Sequence, residues 1–264
     1  MGKNKLKKFR EMETIECVFQ YPYSVLEAEG FPLRGRWREK QFGGDGPVVL
    51  ELGCGKGEYT VGLARRFPGS NFIGLDIKGA RMWTGARQAR DEGLANAAFL
   101  RTNIELADRF FAPGEVSEIW ITFPDPQMKK ARKRLTGTNF MALYRRILAP
   151  GGVVRLKTDS PFLYAYTMAM ARENGMEVLA CTDDLYGPEA MADPTLPEGL
   201  REIRTYYEQQ WLARGLTIKY IALKPGTAGE LREPDVEIPH DTYRSFSRGT
   251  LETGDFSRPA DNNL

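Results

Sequence analysis

ELGCGKGEYT, residues 51–60, follows directly on the apolar run VVLEL at 48–52. The run has the length and the β-branched content of a buried strand, and residues 57–67 have the pattern of a helix that ends near Pro68. Between them Gly53, Gly55 and Gly57 permit a tight turn whose backbone comes close to a ligand. A strand, a glycine turn and a helix in that order point to an α/β fold. In an open α/β sheet, ligands sit beyond the carboxyl ends of the strands.

The same alternation continues outward. NFIGLD (71–76), AAFLRTN (97–103), EIWITF (118–123), GVVRLKTD (152–159), MEVLACT (176–182) and LTIKYIAL (216–223) read as strands. Helices are expected at 79–93, 138–149, 160–174 and 201–214. Such alternation predicts a mostly parallel sheet covered on both faces. The expected organisation is a basic and aromatic N-terminal extension over 1–46, one α/β domain over 47–224, and a polar C-terminal tail over 225–264. GGDGP at 43–47 marks the first break. The extension carries Lys3, Lys5, Lys7, Lys8 and Arg10 among aromatics such as Phe9, Tyr23 and Trp37, a composition that can stack on or track a nucleic acid.

The 264 residues are 42% hydrophobic, enough for a sizeable core, and the formal net charge is only +2, so an anionic partner must meet local patches. Cys17, Cys54 and Cys181 are isolated and His240 is the sole histidine, which argues against a disulfide framework and against a metal site. Reduced thiols and the lack of a long apolar run predict a cytoplasmic protein with no membrane span. The basic N-terminus has no apolar core behind it, so it does not read as a secretory signal.

What would the glycine turn hold? The dinucleotide fingerprint is G-x-G-x-x-G, but the spacing here is G-x-G-x-G. Glu51 stands two residues before the first glycine, where an acid suits an ammonium group better than a pyrophosphate. Asp76 ends the second strand, where an acid can bond ribose hydroxyls, and Asn103 ends the third, where an amide can meet an adenine. Together these describe an S-adenosylmethionine site. Read singly, each is also a common turn or cap residue.

The fourth strand ends in FPDPQMKKARKRL, residues 123–135. Pro124 and Pro126 restrict the backbone around Asp125 and would hold its carboxylate in one place. Five basic residues follow at once: Lys129, Lys130, Arg132, Lys133 and Arg134. A charge run alone is usually a solvated loop, but this one starts at a strand-end carboxylate, where it could grip phosphates beside a pocket.

With these stretches in hand, the chain resembles the bacterial tRNA (guanine-N7)-methyltransferase family. The resemblance rests on ELGCGKG (51–57), NFIGLDIK (71–78), FPDPQMKKARKRL (123–135), LAPGGVVRLKTD (148–159) and TYYE (205–208), in family order. Gln127 stands where many members have tryptophan after FPDP, and the basic run is compressed and lacks a histidine, which suggests a variant subgroup. The resemblance implies a class I S-adenosylmethionine-dependent methyltransferase: α/β, Rossmann-like, with a mostly parallel seven-stranded sheet and helices on both faces. It implies methyl transfer to N7 of a guanosine in the tRNA variable loop, by a monomer or a homodimer. By the same pattern Glu51, Asp76, Asn103 and Asp125 would contact the methyl donor, Asp125 at the reacting centre. Lys129, Asp159, Thr205, Tyr206, Tyr207 and Glu208 would face the substrate, and Lys130, Arg132, Lys133 and Arg134 the RNA backbone.

The residues fit that chemistry independently. N7 of guanine has an in-plane lone pair and no proton, so no general base is needed. A fixed carboxylate such as Asp125 could stabilise the positive charge that the purine gains or hold the guanine edge through its N–H groups, and alignment can contribute roughly 7–11 kcal/mol of the rest. Two local alternatives stay open. Asp159 or Ser160 could cap the helix that follows, and Thr205 with Glu208 matches a T-x-x-E capping box. Two other classes stay open as well: an RNA-binding protein that keeps the donor site without catalysis, and a small-molecule methyltransferase.

Overall fold

The structure is a computed structural model that describes residues 3–226 and 229–242. Its eight strands are β1 (Val18–Gln20), β2 (Val48–Leu52), β3 (Asn71–Asp76), β4 (Ala97–Arg101), β5 (Val116–Thr122), β6 (Leu148–Thr158), β7 (Glu177–Thr182) and β8 (Lys219–Lys224). They form one sheet in the order β1-β4-β3-β2-β5-β6-β8-β7. Pairing is parallel from β1 through β6, and β8 runs antiparallel between β6 and β7. β2 is buried at every position, as a central strand with helices on both faces must be.

From β2 the chain winds outward through β3 to β4, then returns to the other side of β2 as β5. That reversal leaves a crevice at the carboxyl ends of β2, β3 and β5, where open α/β sheets place their ligands. The α-helices of the described residues are α1 (Lys3–Met12), α2 (Tyr23–Glu29), α3 (Glu58–Arg66), α4 (Gly79–Asp91), α5 (Ala107–Phe110), α6 (Thr138–Ile147), α7 (Pro161–Glu173), α8 (Pro188–Ala192) and α9 (Tyr206–Leu212). One face of the sheet packs against α6 and α7, and the other against α3 and α4. No helix among the described residues is long and apolar enough to cross a membrane.

The sheet has eight strands rather than the expected seven. The added one, β1, comes from the segment before residue 47 and pairs in parallel with β4 at the sheet edge. It is three residues long, too short to show an alternation in sequence. Its neighbours hold it. Phe19 stands edge-on to Trp37 at 5.1 Å, and Trp37 is fully buried with its indole N–H donating to the Phe110 carbonyl at 3.0 Å. Glu115 accepts backbone N–H bonds from Gly35 and Trp37. Phe19, Phe31 and Trp37 are therefore packing residues of this segment and do not form an open stacking platform.

The helix expected over 201–214 is shorter, α9 (Tyr206–Leu212), because Thr205 caps it by accepting from the Glu208 N–H at 3.2 Å. At the C-terminus, residues 229–242 have no regular structure but run against the domain. Arg145 fastens their approach through the carbonyls of Pro225 and Gly229. The rest of the expected tail, 243–264, lies outside the described residues.

Candidate active site

The turn after β2 is set by its glycines. Gly53, Gly55 and Gly57 all have positive φ, 72°, 56° and 71°. They differ in what surrounds them. A Cβ on Gly53 would meet nothing within 4 Å, whereas one on Gly57 would lie 2.6 Å from the Phe99 ring and 3.1 Å from the Gly85 Cα. Gly53 and Gly55 thus face open space beside the sheet, and Gly57 lets α3 close onto β4 and α4. Asp76 braces the same turn: its carboxylate accepts the Gly55 N–H at 2.9 Å and the Lys78 N–H at 2.7 Å.

Beyond these strand ends is a cavity of about 640 Å³. Its walls bring together Glu51, Gly53, Gly55, Asp76, Asp125, Lys133, Asp159, Thr205 and Tyr207. Glu51 is 3% exposed at its base. Its carboxylate accepts bonds from the Thr60 N–H and hydroxyl on one oxygen and from the Thr122 hydroxyl, at 2.8 Å, on the other. Burial pushes its pKa up to about 7 against the pull of these hydrogen bonds. Cys54, also buried here, is held protonated well above its ordinary value by the same desolvation.

The loop after β5 is strained where it carries Asp125. Phe123 and Gln127 are the two non-glycine residues with positive φ among the described residues, 49° and 48°. Residues held in such regions gather at functional sites. The Asp125 carboxylate is exposed and accepts the Gln127 N–H at 3.0 Å. Lys129, Lys130, Arg132 and Lys133 project into solvent. Arg134 turns inward instead. It donates to the carbonyls of Gln127 and Met128 and lies over the rings of Phe162 and Tyr166, 4.8 and 4.4 Å from their centroids.

Beyond β6, Ser160 caps α7 by accepting the Leu163 N–H at 2.9 Å. The buried Asp159 is left on the cavity wall. Glu208 is placed differently from the expectation that it faces substrate. It is fully buried, 2.8 Å from the Lys157 ammonium, and accepts the Tyr186 hydroxyl at 2.7 Å. Tyr206 is half exposed beside Lys56, and Asn103 lines a neighbouring cavity with Tyr21 and Arg101 rather than the main one. Sequence reasoning passed over Thr122, whose hydroxyl orients Glu51, and Trp211, which lines the cavity from α9.

A family model described as "Putative methyltransferase" matches residues 45–221. The chain is 62% identical over 240 residues to a tRNA (guanine-N(7)-)-methyltransferase of Porphyromonas gingivalis, covering 90% of this chain and 96% of that protein. It is 57% identical over 248 residues to the Bacteroides fragilis protein of the same name, covering 94% and 96%. The chain belongs to the tRNA (guanine-N(7)-)-methyltransferase family. Among solved structures, the 16S rRNA methyltransferase KamB superposes with a TM-score of 0.51 at 16% identity, covering 77% of this chain and 94% of that one, a likeness of fold alone. The site of this tRNA (guanine-N(7)-)-methyltransferase family member fits S-adenosylmethionine. An open glycine cradle at Gly53 and Gly55 lies between a buried acid, Glu51, and a strand-end acid, Asp76.

Proposed function

We propose that this chain transfers a methyl group from S-adenosylmethionine to N7 of a guanosine in the variable loop of tRNA. The observation that carries the reading is convergence: Glu51, Asp76, Asp125 and Asp159 all line one cavity at the switch point of the sheet, with the basic loop on its rim. Membership in the family supports it. The FPDPQ form of the loop motif is read as a variant of the same site, in which Gln127 closes a turn on Asp125 through its backbone N–H. An enzyme acting on tRNA is placed in the cytoplasm.

When bound, S-adenosylmethionine supplies an electrophilic methyl on a sulfonium centre. Glu51 would hold the donor's ammonium group, and Asp76 its ribose hydroxyls. Guanine N7 attacks with its own lone pair, so no residue has to remove a proton first. Asp159 would accept hydrogen bonds from the N–H groups on the Watson–Crick edge of guanine, which adenine cannot offer in the same pattern. Asp125 places a fixed carboxylate where the purine becomes positive. Tyr207 and Trp211 wall the cavity on the α9 side. Lys129, Lys130, Arg132 and Lys133 supply the positive rim that RNA phosphates require.

The test is incubation with methyl-labelled S-adenosylmethionine and tRNA lacking the modification, followed by nucleoside analysis. The expected product is labelled 7-methylguanosine, and label in another nucleoside overturns the substrate reading. Asp125→Ala should lower transfer by roughly 100-fold or more. Its melting temperature should not move, since the side chain is exposed and accepts one backbone N–H. Normal turnover in that variant removes Asp125 from the mechanism.

A further inference from the structure

Four exposed cations on one loop repel each other, and the loop's backbone is strained at Phe123 and Gln127. Such a loop does not hold a carboxylate still without an anchor. The anchor lies outside the segment 45–221 that matches the family model.

We propose that residues 229–242 are a positioning strap for the active site, acting through Glu233 and Asp241 on Arg134 and the Asp125 loop. The proposal rests on the reading of Asp125 given above. The connections are continuous. Arg134 ties the carbonyls of Gln127 and Met128, two and three residues past Asp125, at 3.2 and 2.6 Å. Its guanidinium rests on Tyr166, whose hydroxyl donates to Glu233 at 2.6 Å. Glu233 also accepts the Thr138 hydroxyl at 2.7 Å and the Thr138 N–H at 3.2 Å, so the strap is pinned to the start of α6.

The second anchor is Asp241, which is 7% exposed. Its carboxylate accepts the Phe162 N–H at 3.0 Å and the Ser160 hydroxyl at 2.5 Å, at the N-terminus of the thirteen-residue helix α7, where a negative charge is stabilised. Its own N–H points to the Met128 sulfur at 3.1 Å. Ser160 follows Asp159 directly, so Asp241 ties the strand end that carries Asp159 to the loop that carries Asp125. His240 adds an edge-on contact to Phe162 at 5.5 Å. The strap thus contacts the loop that carries Asp125 and the starts of α6 and α7, while none of its residues lines the cavity itself.

Arg134 decides between a strut and a phosphate grip. Arg134→Lys keeps the charge but cannot make the planar stack and the paired carbonyl bonds. Misplacing the loop is expected to lower kcat roughly tenfold to hundredfold. Donor affinity and the salt dependence of tRNA binding should stay as in the wild type. Glu233→Ala should act in the same direction and combine non-additively with Arg134→Lys. Glu233→Gln, which still accepts from Thr138, should recover most of the loss. Hydrogen exchange over 123–135 should quicken in Arg134→Lys and Glu233→Ala, with exchange in β2 unchanged. Wild-type kinetics in Arg134→Lys, together with a salt slope shallower by about one phosphate in Arg134→Ala, would overturn the strut. If the wild type makes no 7-methylguanosine, the substrate reading fails. The exchange experiment still decides the strap: unchanged exchange in the loop refutes it.

Discussion

Glu51 stands under two opposed demands. Burial favours its neutral form and lifts its pKa to about 7, while the donor ammonium group we propose that it holds requires the carboxylate. The folded pKa lies above the ordinary carboxylate value, so the fold favours the proton. Stability from this group is fully present below the ordinary value and is lost as pH rises through about 7. Donor binding has the opposite sign. Affinity for S-adenosylmethionine should fall as pH drops below about 7, approaching tenfold per pH unit. Calorimetric titration across that range, on wild type and on Glu51→Gln, checks it. The variant should bind weakly with a flat profile, and a flat profile in the wild type would detach Glu51 from the ammonium. Glu51, Asp76, Asp125 and Asp159 were legible in sequence because acids at successive strand ends must meet at one edge of a parallel sheet. Thr122 was not, because a threonine in a strand reads as a β-former. Its bond to Glu51 depends on the register that sets Leu52 beside Ile121. Arg134 was misleading for a related reason: a basic run states charge but not which member turns inward.

At the scale of elements, α9 is held to the sheet by an ion pair with both side chains fully buried. Lys157 comes from the end of β6 and Glu208 from the first turn of α9, so the pair fixes Thr205, Tyr207 and Trp211 against the cavity. Desolvation lowers the Lys157 pKa, and Glu208 opposes that shift. Its ammonium also donates to the carbonyls of Leu200 and Ile203. Removing one partner strands a buried charge. Lys157→Met should therefore cost about 3–5 kcal/mol in chemical denaturation, and Lys157→Met with Glu208→Leu should recover much of it. If the double variant is no better than the single, the pair's partners matter more than its charges. The T-x-x-E pattern showed the cap at Thr205 but not the pairing, since Lys157 lies far away in sequence. The order of the long elements was readable from their alternation. β1 was not, because three residues carry no period and only the β4 edge makes them a strand.

For the whole molecule the question is how a chain of net charge +2 binds a polyanion. The answer is distribution. Lys129, Lys130, Arg132 and Lys133 stand on the rim beyond β5, and Lys56, Lys78 and Arg81 line or border the opposite wall beside the glycine turn. In the sequence, the loop and the N-terminal basic residues together suffice to neutralise about five phosphates, a salt slope of roughly −3.5 to −4.5. With Arg134 committed inward, the loop itself offers four exposed cations, whose share of the slope is roughly −2.8 to −3.6. Replacing Lys129, Lys130 and Arg132 together by alanine should make the slope shallower by roughly 2 to 3 and raise KM for tRNA. Donor affinity should hold, because none of the three lines the cavity. The measurement is tRNA affinity over a series of salt concentrations for wild type and variant. An unchanged slope would move the contact to the opposite rim. There α1 (Lys3–Met12) packs on α4, with Phe9 against Gly79, and carries the exposed Lys7 and Arg10 outward from Lys78 and Arg81. Charge reversal at Lys7 and Arg10 would then take the slope down in place of the loop, and the RNA would be tracking the N-terminal helix.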